Sequence, residues 1–129
     1  MIPYSIDVFL LHYQLSLFLT AVTSLSLGLF ILIKNARSTV NRTFAIFMVC
    51  VATWSSTQAL IGTWRDPSLW LTIARIEHYG HVFIPSVFLH FVHATIGLRQ
   101  PRRLAMSYAV SVICFLLVPT HLLIGSMDL

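Results

Sequence analysis

Four long apolar runs, separated by short polar breaks, set the pattern of the chain. The first covers residues 8–33 and is broken only by His12, Tyr13, Gln14 and scattered Ser and Thr. About 20 apolar residues in helical form cross the hydrocarbon of a bilayer, so this run is long enough to span. A second run covers 43–64, a third 68–97 and a fourth 104–125. The breaks are Lys34 to Arg42, the Arg65-Asp66-Pro67 turn, and Arg99-Gln100-Pro101-Arg102-Arg103. Backbone in such breaks cannot stay unpaired in lipid. The pattern predicts an all-α, polytopic membrane helical bundle of four transmembrane helices, forming one module over residues 1–129. The third run is the longest and least apolar, and Pro85 within it predicts a tilt or a kink.

Composition agrees with lipid as the solvent. The 129 residues are 57% hydrophobic and 9% charged, with a mean hydropathy of +0.85. Soluble domains carry roughly a quarter charged residues. A water-soluble fold of this length would have no core large enough for so many apolar side chains. The net charge of +4 is too small and too localised for a nucleic-acid-binding face, so no nucleic-acid partner is expected. Cys50 and Cys114 lie inside apolar runs and predict no disulfide framework. The N-terminal residues lack a basic segment and a small-residue cleavage pattern, so the first run reads as a retained span.

Charge placement predicts orientation. Lys34, Arg37 and Arg42 flank one break, and Arg99, Arg102 and Arg103 another, both on the same side of a four-span chain. Basic loops stay in the cytoplasm, which places the N-terminus outside. The acidic residues Asp7, Asp66, Glu77 and Asp128 fall toward the other side. The sequon at Asn41-Arg42-Thr43 is then cytoplasmic and carries no weight. Ser24 with Gly28, and Ser107 with Ser111, put small residues one turn apart, where helices can pack closely.

Candidate chemistry concentrates in the second and third runs. Thr53, Trp54, Ser55, Ser56, Thr57 and Gln58 form a polar patch whose groups need partners on a neighbouring helix or in a water-filled cavity. Arg75, Glu77, His78, His81, His90 and His93 are ionisable groups in or near lipid, where such groups are costly. Glu77 with His81, and Arg75 with His78, are spaced to meet on one helix face. Near the outer surface, Arg75 and Glu77 can snorkel to water, so interfacial anchoring competes with a functional role for both. His78 and His81 read either as interhelical packing residues or, with Trp54, Ser55, Gln58 and Pro85, as a ligand-binding set near mid-membrane. His90 and His93 have no facing histidine at their depth, which argues against haem, and no cofactor and no metal site is expected. No hydrolase, redox-thiol or nucleotide-binding motif occurs, so a self-contained enzyme is not indicated.

Asn41, Arg42, Phe44 and Ala45 entering the second run, Trp54 ten residues on, and Arg75, Tyr79, Gly80, Pro85, Phe88, Leu89, His90 and Phe91 in the third carry a resemblance. They resemble the N-terminal seven-helix membrane region of bacterial sensor histidine kinases, over about residues 25–97. The resemblance implies a sensory module of the bacterial inner membrane, placed ahead of cytoplasmic signalling domains, with self-association as a homodimer open. It implies seven spans where this pattern predicts four, hence a partial module, and no kinase signature is present to make the chain catalytic. Two readings from other classes stay open beside it: a structural or assembly subunit of a larger membrane complex, and a small haem- or quinone-binding membrane protein.

Overall fold

In a computed structural model, which describes residues 4–61 and 67–120, the chain is all helical among the described residues. Helix α1 spans Tyr4–Lys34, α2 Thr39–Ile61, α3 Pro67–His81, α4 Ile84–Ile96 and α5 Pro101–Leu117. The expected turn at Arg65 and Asp66, and the end of the fourth run beyond residue 120, lie outside the described residues.

Two helices, over Val8–Lys34 and Thr39–Ile61, are long and apolar enough to cross a membrane. Only 17% and 22% of their most apolar windows are buried, unlike the core helix of a soluble protein. Phe9, Leu11, Leu15, Phe18 and Ile33 each leave more than half their surface open, an outward apolar face that lipid can solvate. As described, α3, α4 and α5 have 15, 13 and 17 residues, shorter than a full span each.

The hydroxyl groups of the first two helices follow a simple rule. Thr20 and Ser26 of α1 donate to the carbonyls four residues back, at 2.8 Å each, and Ser16 to that of Tyr13 at 2.7 Å. Thr53, Ser56 and Thr57 of α2 do the same toward Val49, Ala52 and Thr53. A hydroxyl satisfied by its own helix needs no partner across an interface. The expectation that every polar group of the Thr53 to Gln58 patch requires a neighbouring helix or a water-filled cavity is therefore corrected for these three.

The break between the first two helices is shorter than the polar stretch of the sequence. Rather than running from Lys34 to Arg42, it covers four residues, and Thr39 to Arg42 already belong to α2. Ser38 starts that helix, its Oγ accepting the Asn41 N–H at 3.4 Å, in the manner of an N-cap. The Asn41 side chain reaches back to donate to the carbonyls of Ile31 and Asn35 at 3.2 and 3.1 Å, capping the end of α1. The polar stretch of the sequence therefore does not mark the helix boundary, since α2 begins inside it.

Small residues set how closely the helices approach. Ala21 and Ser24 of α1 and Ala45 and Ala52 of α2 are buried. A Cβ on Gly28 would lie 2.9 Å from the Met48 Cβ, so α1 and α2 touch nearly backbone to backbone there. Helix α2 continues this role toward its other neighbours. Phe44 and Phe47 stack on Phe91 and Phe88 of α4 with ring centroids 5.4 and 5.5 Å apart, while Gly80 of α3 faces Thr53. The pairing runs antiparallel, so α2 lies along both α3 and α4.

The third run is two helices rather than one. Proline has no N–H to donate and its ring crowds the carbonyl four residues back, which for Pro85 is that of His81. Helix α3 accordingly ends at His81, Val82 and Phe83 form a turn, and Pro85 sits in the first turn of α4, where a missing N–H costs little. The first backbone bond of α4 runs from Val87 N to Phe83 O at 2.9 Å. The Val82 carbonyl instead accepts the hydroxyl of Ser111 on α5 at 2.9 Å. Ser111 and Ser107 also bond Ser86 at 2.7 and 2.6 Å, which ties the break to α5.

Candidate functional site

The polar patch of α2 and the ionisable face of α3 meet above this break. Trp54 and Gln58 are one turn apart on α2 and project from the same side. Opposite them, the Glu77 carboxylate accepts the indole N–H of Trp54 at 3.1 Å and the amide N–H of Gln58 at 2.6 Å, both on Oε1. Glu77 is 7% exposed and Ala74, one turn earlier on α3, is buried beside it, so this stripe of α3 is turned into the helix interface.

The hydrogen bonds of Glu77 go to Trp54 and Gln58 of α2, which corrects the expectation that it meets His81 along α3. The correction has a physical cause. A carboxylate within a span is costly unless donors meet it. Here the two donors sit at a spacing that matches one oxygen. Gly80 makes the approach possible, since a Cβ there would lie 3.1 Å from Thr53 Cγ2 and 3.3 Å from its Cβ.

The histidines take different places. The His78 ring is satisfied within α3 through the Ala74 carbonyl at 2.8 Å. It contacts the ring of His81 edge-on at 5.6 Å, and His81 in turn lies 6.5 Å from the Trp54 ring. His81 itself is exposed, and so is Pro85. Trp54, Gln58, His78 and His81 are thus brought together around Glu77, whereas Pro85 contributes by ending α3. Ser55 is fully buried, and its Oγ has no hydrogen-bond partner among the described residues. The Arg75 Nε is likewise buried without a partner there, and the His78 ring bonds the Ala74 carbonyl rather than Arg75.

Glu77 is the residue that reasoning from sequence left out of the ligand-binding set. Its signal was present: an acidic residue inside an apolar run, opposite an α2 helix whose Trp and Gln are spaced by four. Of the other motif residues, Tyr79 packs on Phe115 of α5 at 4.8 Å, and His90 meets Tyr108 through Nδ1 at 3.1 Å. Phe91 stacks on α2, and Asn41 caps α1. These four hold helices together.

Chemically, the arrangement is a buried acceptor held by two neutral donors. It joins two helices, and any group that competes for Glu77 Oε1, or for its two donors, changes how α2 and α3 are held. Among the described residues no three His, Cys, Asp or Glu side chains gather as a metal site would require. Residues 16–127 match the family described as the N-terminal 7TM region of histidine kinase. No curated protein and no solved structure matches the chain.

Proposed function

The chain belongs to that family of N-terminal membrane regions of histidine kinases, and from this membership we propose that it is the sensory input module of such a kinase. The matched region lies ahead of the part that performs phosphoryl transfer, and this chain acts as receiver rather than as catalyst. In this reading, α1, α2, the α3–α4 pair and α5 are four transmembrane segments, with the N-terminus outside and both basic turns in the cytoplasm of a bacterial cell. The distribution of Lys34, Arg37, Arg42, Arg99, Arg102 and Arg103 over two turns at one end supports that orientation. Its partners are the bilayer, cytoplasmic signalling domains and further membrane helices, with pairing of two copies as the means of output.

The observation that carries the reading is the Glu77 junction. It binds α3 to α2 one turn before the chain breaks at Val82 and Phe83, while α4 beyond the break is held separately by Phe44, Phe47 and the serines of α5. Two helices hinged at a turn and held by different contacts can change their mutual angle without unfolding. A small amphipathic ligand that takes Trp54 or Gln58 away from Glu77 releases α3 alone. Trp54, Gln58, His78 and His81 form its binding surface. A hydrogen bond between helices in a membrane contributes on the order of 0.6 kcal/mol, with values up to about 1.7. Losing both therefore shifts a balanced two-state equilibrium by roughly eightfold to a few hundredfold.

The test is made in the full-length kinase, with autophosphorylation measured in membranes. Gln58→Leu and Glu77→Leu should each change basal kinase output and flatten its response to the signal, and Leu at His81 should do so more weakly. Unaltered output and response in both Gln58→Leu and Glu77→Leu would remove the junction from the mechanism.

A further inference from the structure

The sensory reading makes no use of His93. This residue lies on α4 at the opposite end from Glu77, is 8% exposed, and its ring makes no hydrogen bond or ring contact among the described residues. Its ring carries a donor and an acceptor that ordinarily find partners, and neither ring nitrogen is sealed off from the space beside it. It lines a pocket of about 540 Å³ together with Thr39, His90, Arg99, Gln100 and Pro101. The Gln100 Oε1, in the same wall, is also buried without a partner.

The surroundings of this pocket are electropositive. Thr39 opens α2 and Pro101 opens α5, so the N-termini of helices of 23 and 17 residues border it. Helix N-termini present unpaired N–H groups and the positive end of the helix dipole. Arg99 lines the pocket, and an adjoining groove adds Arg102 and Arg103, with no acidic residue in either wall. The C-terminus of α4 opposes this field, but the His93 carbonyl there is already taken. Gly97, at φ +69°, and Leu98 both turn their N–H groups onto the His93 carbonyl. The same turn carries Arg99 and Gln100 to the pocket wall.

We propose that this pocket binds a phosphate group, of the kind carried by anionic lipid headgroups and by free phosphate. Arg99 and the two helix N-termini face its charge, and the His93 ring N–H and the Gln100 side-chain amide hydrogen-bond its oxygens or their substituents. Basic pockets between membrane helices at the headgroup level are suited to anionic headgroups. The volume matches that of ordinary ligand sites. The inference rests on the membrane assignment and not on a signalling role, so the loss of either leaves the other standing.

The whole chain, purified in mild detergent, is titrated with short-chain phosphatidylglycerol and, separately, with inorganic phosphate, and thermal unfolding is followed. A saturable rise in Tm is expected. Arg99→Gln should weaken half-saturation about fivefold or more, as expected for one basic side chain near a headgroup. His93→Phe, which keeps the ring volume, should weaken it as well. Arg37→Gln, exposed in the other basic turn, should leave it unchanged. A rise with the lipid alone assigns the phosphate to a headgroup, and a rise with both probes assigns it to phosphate in general. No saturable rise with either probe overturns the proposal, as does equal behaviour of Arg99→Gln and the unmodified chain, or an equal weakening by Arg37→Gln. Because Arg99 is exposed, its variant tests the site without disturbing the core.

Discussion

Gln58 on α2 and Glu77 on α3 meet at 2.6 Å across a helix interface in which Glu77 keeps 7% of its surface exposed. Replacing Glu77 by Leu strands the N–H groups of both Trp54 and Gln58, and an unmet buried donor costs about 1–3 kcal/mol. Glu77→Leu should therefore lower the Tm in detergent well beyond Glu77→Gln, which keeps a carbonyl acceptor. A double-mutant cycle over Gln58 and Glu77 should return a coupling on the order of 0.6 kcal/mol or more. Strict additivity would mean that the bond contributes nothing.

At Gly28 the constraint is steric. With a Cβ only 2.9 Å from that of Met48, alanine forces the two helices apart, and leucine does so further. Overpacking of this kind costs about 1–3 kcal/mol. Gly28→Leu should destabilise more than Gly28→Ala. Disulfide trapping between cysteines introduced on α1 and α2 near this level should slow in the same order.

Gly97 is constrained by its backbone instead. No atom lies within 4 Å of a Cβ added there, yet its φ of +69° is left-handed, which costs an L-residue about 1–2 kcal/mol. Gly97→Ala should lower stability by about that much and Gly97→Asn by less, as read from thermal unfolding. If alanine were as stable as glycine, the α4 turn would not need its left-handed form.

The Ser111 hydroxyl serves the Val82 carbonyl at the break and Ser86 on α4. Ser111→Ala should expose that carbonyl and loosen the turn between α3 and α4. Faster hydrogen exchange at Val87, whose N–H makes the first backbone bond of α4, is the expected sign, with α1 and α2 unchanged.

Single cysteines at Arg37 and Arg102 should react with a membrane-impermeant thiol reagent from the same face of sealed vesicles, in a background with Cys50 and Cys114 replaced. Labelling from opposite faces would contradict the four-segment topology.

Much of the fold is legible along the chain because lipid imposes a requirement that hydropathy measures directly. The runs at 8–33 and 43–64 contain the apolar parts of α1 and α2, and the break that follows the first holds the polar turn. The start of α2 at Thr39 is less legible, since Asn41 caps the end of α1 only once the two helices are folded together. Pro85 announces a disturbance in the third run, but not that it would fall at Val82 and Phe83.

Glu77 marks the limit of such reading. Taken alone, a carboxylate eight residues from Pro85 and two from Arg75 is as compatible with a side chain reaching for water as with one held in the interior. Its fate depends on which face of α3 turns to α2, and that is decided by Gly80 fitting against Thr53 and by Phe44 and Phe47 meeting Phe91 and Phe88. Hydropathy is additive along the chain, and so the sequence by itself determined that this protein belongs in a membrane as helices. Burial of a charge-bearing group depends on the rotation of one helix against another, which is a property of packed surfaces, and only the tertiary structure decided it.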